Sequence, residues 1–257
     1  MEAKRPLLLR PFLVRLVEDY WGILLLLIAW QAWVAVNRFN PIVMPTPVAV
    51  LNDLVTHPGV YLENVSITLA IAVFGLVAGM LVGTGLAVAA WFSPIASGLL
   101  NPLTVLFSSV PVVALIPVIA RLLGYDTSTV LAIVVIITFF PSFAFASSGL
   151  RQPPPGSEDL FRVLGASRLD LLRRLALPAA MPNLAIAFKL ASAHAILAAM
   201  VAEFLMGTTG LGYLFAKTKS DFQTEQTFGA SLVATVISAA AFLGAGWVEK
   251  KVRERYA

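Results

Sequence analysis

Residues 65–92 run for 28 positions without one acidic or basic side chain, and that run limits the fold more than any motif does. As a helix at 1.5 Å per residue it would extend about 42 Å, enough to cross a hydrocarbon core of about 30 Å with some tilt. The rest of the chain repeats the pattern. Apolar windows separated by charges and turn residues fall near Tyr20–Val36, Val65–Phe92, Ser97–Ala120, Thr127–Gly149, Pro182–Met206 and Phe228–Trp247. Composition agrees: of 257 residues, 59% are hydrophobic and 12% charged, against about 25% charged in an ordinary soluble domain. Six spans of about 20 residues use about 120 positions. With the remainder divided among tails and loops, little is left over for a separate soluble catalytic domain, which takes about 100 residues or more. The expectation is an all-α integral membrane protein with six transmembrane helices. It comprises a tail at 1–19, a membrane region at 20–247 interrupted by a loop at 150–181, and a tail at 248–257.

The first window is interrupted by Gln31 and could be read as a signal peptide. Basic residues precede it and no small-x-small cleavage site follows, so an uncleaved span is expected. Orientation follows from counting Lys and Arg. The N-terminal tail, residues 150–181 and the C-terminal tail together carry thirteen, while the opposite side has Arg38, Arg121, Lys217 and Lys219. Thirteen against four places both termini and the 150–181 loop in the cytoplasm. The same distribution accounts for the net charge of +4 and the pI near 9.6, so no nucleic-acid partner is expected. With no cysteine and only His57 and His194, neither a disulfide nor a histidine-built metal centre is expected.

In the second span Gly75, Gly79 and Gly83 form a small-residue stripe of the kind that lets helices approach closely in lipid. Packing inside one subunit is favoured over a dimer interface. Pro102, Pro111, Pro117 and Pro141 fall within or at the ends of the third and fourth spans, where they would kink helices or free carbonyls along a pathway.

Residues 150–181 differ from the rest. Pro153-Pro154-Pro155-Gly156 stops the preceding helix. Ser157-Glu158-Asp159 reads as a helix start with a hydroxyl cap, and Gly165 can take the left-handed conformation that ends it. Ser167-Arg168-Leu169-Asp170 has capping-box spacing, and Leu177-Pro178 is expected to end the second short helix. Leu160, Phe161, Leu164, Leu171 and Leu172 are offered by this bend, Phe161 foremost. Such a hairpin either lies on lipid headgroups or docks a soluble partner.

Leu164-Gly165-Ala166-Ser167, followed after nine residues by Leu177-Pro178-Ala179-Ala180-Met181-Pro182, resembles the Glu-Ala-Ala loop of ABC-importer permeases. Met44-Pro45-Thr46-Pro47-Val48-Ala49-Val50-Leu51, Pro111-Val112-Val113-Ala114-Leu115-Ile116-Pro117, and Ala202-Glu203-Phe204-Leu205 with Gly210-Leu211-Gly212-Tyr213 resemble one branch of them. That branch carries nitrate, taurine, alkanesulfonates, thiamine precursors or riboflavin. Where the family has Glu-Ala-Ala, this chain has Asp159-Leu160-Phe161. The resemblance implies a type I importer permease in a bacterial-type plasma membrane, paired with a second permease subunit (itself or a close paralogue). It further implies a cytoplasmic ATPase dimer receiving Asp159, Leu160, Phe161, Leu164, Gly165, Ala166, Ser167, Leu171, Leu172 and Pro178, and an extracytoplasmic solute-binding protein. No cofactor is expected in this chain; ATP and Mg²⁺ belong to the partner ATPase. The chain itself has no Gly-x-x-x-x-Gly-Lys-Ser/Thr loop to cradle phosphates and no catalytic motif, so a transport subunit rather than an enzyme is expected.

Three ionisable residues fall in the fifth span, where they are costly and often functional. Lys189 is near enough to the cytoplasmic end to snorkel. His194 is a structural or a pathway residue, and Glu203, at the family's Glu position, a gate or an anchor. Nine residues apart on a helix, His194 and Glu203 point to opposite faces and make no dyad. In the fourth span Phe139, Phe140, Phe143 and Phe145 with Ser142, Ser147 and Ser148 are candidates for lining a path, or for ordinary packing. A vitamin-like heterocycle, riboflavin or a thiamine precursor, is favoured as passenger over a sulfonate, taurine or nitrate, because a dedicated anion path would carry more central cations. The competing class is an ion-coupled secondary transporter or channel, which leaves the loop unexplained.

Overall fold

The structure, a computed structural model, describes residues 12–108, 110–207 and 209–256; for 12–20, 101, 103 and 105–108 it describes the backbone alone. The tail residues Lys4, Arg5 and Arg10 lie outside the described residues. The described elements are helical. Among the described residues, four helices are long and apolar enough to cross a membrane: α3 (Pro58–Phe92), α6 (Thr127–Gly149), the continuous run Arg168–Met206, and α11 (Thr224–Tyr256). Further helices accompany them: α1 (Phe12–Asn37), whose apolar part is Trp21–Asn37, α2 (Pro47–Thr56), α4 (Pro94–Ser108) and α5 (Val112–Leu123). Two short helices, α7 (Ser157–Val163) and α8 (Arg168–Leu171), form the 150–181 loop. A π-helical turn, Leu172–Ala176, joins α8 to α9 (Leu177–Met206), and α10 (Leu211–Ser220) follows.

Two sequence expectations are corrected here. The third span, expected as one helix over Ser97–Ala120, is two helices, with Pro111 standing as the N-cap of α5. Proline has no N–H to continue the ladder and its ring meets the carbonyl four residues back. Leu177-Pro178 does not end the loop's second helix either. Leu177 N donates to Leu172 O, five residues back, and this wider turn directly before Pro178 lets the helix continue into the membrane. At 33 residues α11 is about 50 Å long, so it carries Lys250, Lys251, Arg253 and Arg255 well beyond the apolar window.

The centre of the fold is the packing of α3, α6 and α9. Between apolar helices in lipid there is no solvent-driven association, so close contact must come from small residues and hydrogen bonds. The α3 glycines provide it. A Cβ on Gly75 would lie 2.6 Å from Val134 Cβ, one on Gly79 2.7 Å from Val135 O and against Thr138 Oγ1, and one on Gly83 2.7 Å from Phe139 O. The stripe is thus an internal seam with α6. Thr138 Oγ1 lies 3.1 Å from Gly75 O across that seam. On the other side α9 buries Ala191, Ala195, Ala198, Ala199 and Ala202 against Ile71, Leu76, Ile133 and Val134. At the extracytoplasmic end, as the charge count assigns it, Asp53 of α2 accepts from Tyr61 OH at 2.5 Å and sits 2.9 Å from His57 Nδ1, tying α2 to the start of α3. Nearby, Trp30 of α1 rests on Phe228 of α11, ring centroids 5.5 Å apart.

The seam makes a sharp prediction. Gly79→Ala must push α3 away from a backbone carbonyl and should lower stability by about 1–3 kcal/mol. Gly85→Ala, with no atom within 4 Å of the new carbon, should be neutral or slightly stabilising. Thermal unfolding of the detergent-solubilised protein reads both; equal melting temperatures for the two variants would contradict the seam.

Candidate functional site

The loop is built by its caps. Gly156, at φ +77°, is the N-cap of α7; Ser157, expected there, is the first helical residue, and its hydroxyl donates back to Pro154 O at 2.5 Å. A left-handed residue is needed to turn out of the triple proline, and only glycine enters that region without penalty. Gly165 takes φ +73° as expected, with its N–H on Arg162 O, and Ala166 N reaches Phe161 O. The expected capping box is present: Asp170 N meets Ser167 Oγ at 3.2 Å while Asp170 Oδ2 accepts from Ser167 N at 3.3 Å. Two arginines then clamp the loop to the α3–α4 corner. Arg168 Nη1 donates to Phe92 O at 3.1 Å and Arg151 Nη2 to Ser97 Oγ at 2.5 Å, while Trp91 Nε1 reaches Leu150 O at 3.1 Å. A cleft of about 420 Å³ remains between the corner and the loop, lined by Trp91, Phe92, Glu158, Arg162 and Arg168 among others.

The residues offered by this loop differ from expectation. Leu160 is 58% exposed, Leu164 73%, and Val163, which sequence reasoning passed over, 85%. Positions 160, 163 and 164 share one face of α7 by the i, i+3, i+4 rule, and Phe161, one position round, is half-buried. Leu172 is buried at 5% among Ala87, Phe143, Leu150 and Ala180, and Leu171 is half-buried. Leu172 seats the loop on the helix core, while Leu171 lines the cleft beside the α3–α4 corner. Asp159 is exposed, beside Arg162 at 3.9 Å, an exposed pair that contributes little. Pro178 and Ala166 are half-buried, and Ser167 and Gly165 are open.

At the other end of α9 lies a polar knot. Glu203 is 1% exposed. The Thr68 hydroxyl is 3.0 and 2.8 Å from its two carboxyl oxygens, and Gly212 N donates to Oε2 at 3.0 Å. Leu211 N donates to Thr68 Oγ1 at 2.8 Å, and Gly210 N to Asn64 Oδ1 at 3.1 Å. The first amides of α10, which have no partner within their own helix, are thus satisfied by α3 and α9 side chains. Gly210, at φ +96°, and Gly212 leave the space: a Cβ on Gly210 would lie 2.5 Å from Glu203 Oε2. This is the geometry of an anchor. Sequence reasoning found Glu203 but not Asn64 and Thr68; the signal was there, as two polar residues four apart in an apolar helix.

The remaining candidates separate. His194, on the opposite face of α9 from Glu203 as expected, is exposed and makes no hydrogen bond among the described residues. It lines a cleft of about 170 Å³ with Val112, Val113, Ile116, Ile133, Ile137, Leu197, Ala198 and Val201. Ser142 and Phe143 do not line it. Both are buried in the α3–α6 seam, where Ser142 Oγ donates to Thr138 O at 2.7 Å. Phe139 and Phe140 are half-buried, stacked edge-on at 5.1 Å, with Phe143 6.0 Å from Phe139. Lys189 does not simply snorkel: its Nζ is 2.9 Å from Glu249 of α11, which also pairs with Arg253 at 2.9 Å. Among the described residues no group of three or more His, Asp or Glu could hold a metal ion.

The left-handed geometry at Gly165 is testable by itself, because no atom lies within 4 Å of a carbon added there. Gly165→Val should cost the loop about 1–2 kcal/mol in backbone strain, while Gly165→Asn should be better tolerated. The readout is trypsin cleavage at the exposed Arg162 and Arg168, faster in the valine variant with the melting of the helix core unchanged. Equal cleavage of all three proteins would contradict the assigned bend.

The family described as "Binding-protein-dependent transport system inner membrane component" matches residues 75–255. A probable ABC transporter permease protein of Haemophilus influenzae is 31% identical over 235 residues, covering 91% of this chain and 96% of its own length. A formylaminopyrimidine transport permease protein of Halalkalibacterium halodurans is 26% identical, covering 85% and 88%. Among solved structures, a chain of the MetNI methionine ABC transporter in an inward-facing conformation aligns with a TM-score of 0.59 at 18% identity. That alignment covers 75% of this chain and 94% of the other and places the helices described above in the type I ABC permease fold. With the match spanning the second half of α3, all of α6 and α9, the loop, and the Glu203 and Gly210–Gly212 side of the polar knot, the chain belongs to the family of inner-membrane components of binding-protein-dependent transport systems.

Proposed function

We propose that this permease is the membrane path of an ATP-driven importer, in which a separate cytoplasmic ATPase dimer supplies the energy, an extracytoplasmic binding protein delivers the solute, and two permease subunits enclose the path. The observation that carries the reading is mechanical. The second helix of the loop is continuous with the spanning helix, Arg168 to Met206, and that one rod bears Arg168 of the clamp at its loop end, His194 within the span and Glu203 near the far end. A partner that grips α7 and moves it moves the rod, because few joints intervene. The π turn at Leu172–Ala176 is the one departure from α geometry along it. Such turns occur often at functional positions.

The grip is apolar. Leu160, Val163 and Leu164 project from α7 and suit a groove on a soluble subunit. The passenger is a vitamin-like heterocycle in preference to a sulfonate, taurine or nitrate. Support comes from the similarity to a permease named for formylaminopyrimidine transport and from the lack of Lys and Arg around the His194 cleft.

Truncating a buried interface anchor commonly costs 2 kcal/mol or more, which is more than tenfold in affinity. Leu160→Ala with Leu164→Ala should therefore weaken ATPase binding more than tenfold, and ATP-dependent uptake in proteoliposomes containing permease, ATPase and binding protein should fall in step. Uptake by the permease alone, driven by a proton or sodium gradient, would overturn the proposal in favour of a secondary transporter.

A further inference from the structure

An imidazole on an open helix face in mid-span is costly against lipid. His194 stands on such a face, exposed and without a hydrogen-bond partner among the described residues. Beside it the helix is broken: Val110 and Pro111 are non-helical between α4 and α5. Irregular backbone at membrane depth is tolerated where it is covered by protein or lines a watery cavity. Both observations fall at one place, the cleft of about 170 Å³ whose walls include Val112, Val113, Ile116, Ile133 and Ile137.

We infer that this cleft is the passenger's recognition site within the membrane, and that it takes a neutral, planar, single-ring nitrogen heterocycle with His194 hydrogen-bonded to its edge. The inference rests on the import reading above and adds to it a place and a ligand class. Size gives the first clue. The cleft of about 170 Å³ on this one subunit is smaller than the sites of about 300 Å³ and more that take drug-sized ligands, and it has room for a single ring against its walls. Polarity gives the second. The residues lining the cleft bring β-branched and other apolar side chains to the ring faces and one imidazole to its edge. A neutral imidazole donates from one nitrogen and accepts at the other, which matches the adjacent ring nitrogen and exocyclic group of an aminopyrimidine. A sulfonate would lose its hydration against these walls without an opposing cation, and an unpaired buried charge is the least tolerated group in such a setting. Glu203 cannot take part: its carboxyl is engaged by Thr68 and Gly212 on the opposite face.

The chain has no cysteine, so Leu197→Cys introduces a single thiol into the cleft wall, at a position 46% exposed. The probes are 4-aminopyrimidine and taurine, applied to the permease assembled with its ATPase and binding protein in vesicles, with a charged, water-soluble thiol reagent. The cysteine should label, and 4-aminopyrimidine should slow labelling at least tenfold while taurine leaves it unchanged. Adding His194→Phe should abolish the protection, and His194→Gln, which keeps a donor and an acceptor, should restore part of it. An unlabelled cysteine, protection by taurine equal to that by the pyrimidine, no protection by the pyrimidine, or protection that survives His194→Phe would each overturn the site. ATP-driven uptake in the same vesicles keeps the two readings apart. Uptake without protection removes the cleft and leaves import standing; uptake that ignores ATP removes the import reading itself.

Discussion

A carboxyl group sealed among apolar helices must find hydrogen-bond donors inside the protein, and the way Glu203 finds them organises one whole end of this molecule. Thr68 and the Gly212 amide supply Glu203 directly, and Thr68 in turn accepts from Leu211. An unpaired buried polar group costs about 1–3 kcal/mol, more if charged, so α3, α9 and the start of α10 cannot separate without leaving several such groups bare. Asn64 adds a fourth contact through Gly210. The two glycines of this turn have no room for a side chain, since the space a Cβ would occupy is filled by Glu203, Met200 and Phe204. The chain reversal after α9 is therefore held by polar contacts, where lipid offers no apolar drive to hold it.

The loop end is fastened by another means. Leu172 and Ala176 sink into the lower core with Phe143 and Ala180, and Arg151 and Arg168 bridge to the α3–α4 corner. Between the two fastened ends runs one helical rod, closely packed against α3 and α6 through alanine and glycine. A rod fixed at one end by a polar knot and gripped at the other by a loop converts loop displacement into tilt. Under the proposed import function, such tilt would change what a solute meets at the open face of the rod, where Leu197 and His194 are exposed.

Much of this was legible in the sequence because the signals are local. The Gly75, Gly79, Gly83 stripe, the Gly165 turn and the Ser167–Asp170 box are set by φ, by Cβ volume and by hydrogen bonds across three residues, and each stands where the sequence placed it. What was not legible depends on distant partners. That Lys189 meets Glu249, sixty residues away, or that Thr68 meets Glu203, requires knowing which helices adjoin. The placing of Phe161 foremost among the loop residues depends on the same kind of knowledge. Side-chain size suggested it, but its exposure depends on which face of α7 turns toward the α3–α4 corner. The fourth-span cluster divided in the same way, with Ser142 and Phe143 drawn into the seam by the glycine opposite them.

The central claim is that Glu203 is a structural anchor joining three helices. The most direct measurement is amide hydrogen exchange at Leu211 and Gly212 in the solubilised protein, comparing the natural residue with Glu203→Leu and Glu203→Gln. Losing the Gly212 hydrogen bond to the carboxylate at about 1.5–3 kcal/mol should speed exchange at Gly212 at least tenfold in the leucine variant, with a smaller increase at Leu211, whose acceptor Thr68 remains. The glutamine variant, whose side chain still accepts from Gly212, should remain mostly protected. Unchanged protection of Leu211 and Gly212 in Glu203→Leu would contradict the anchor.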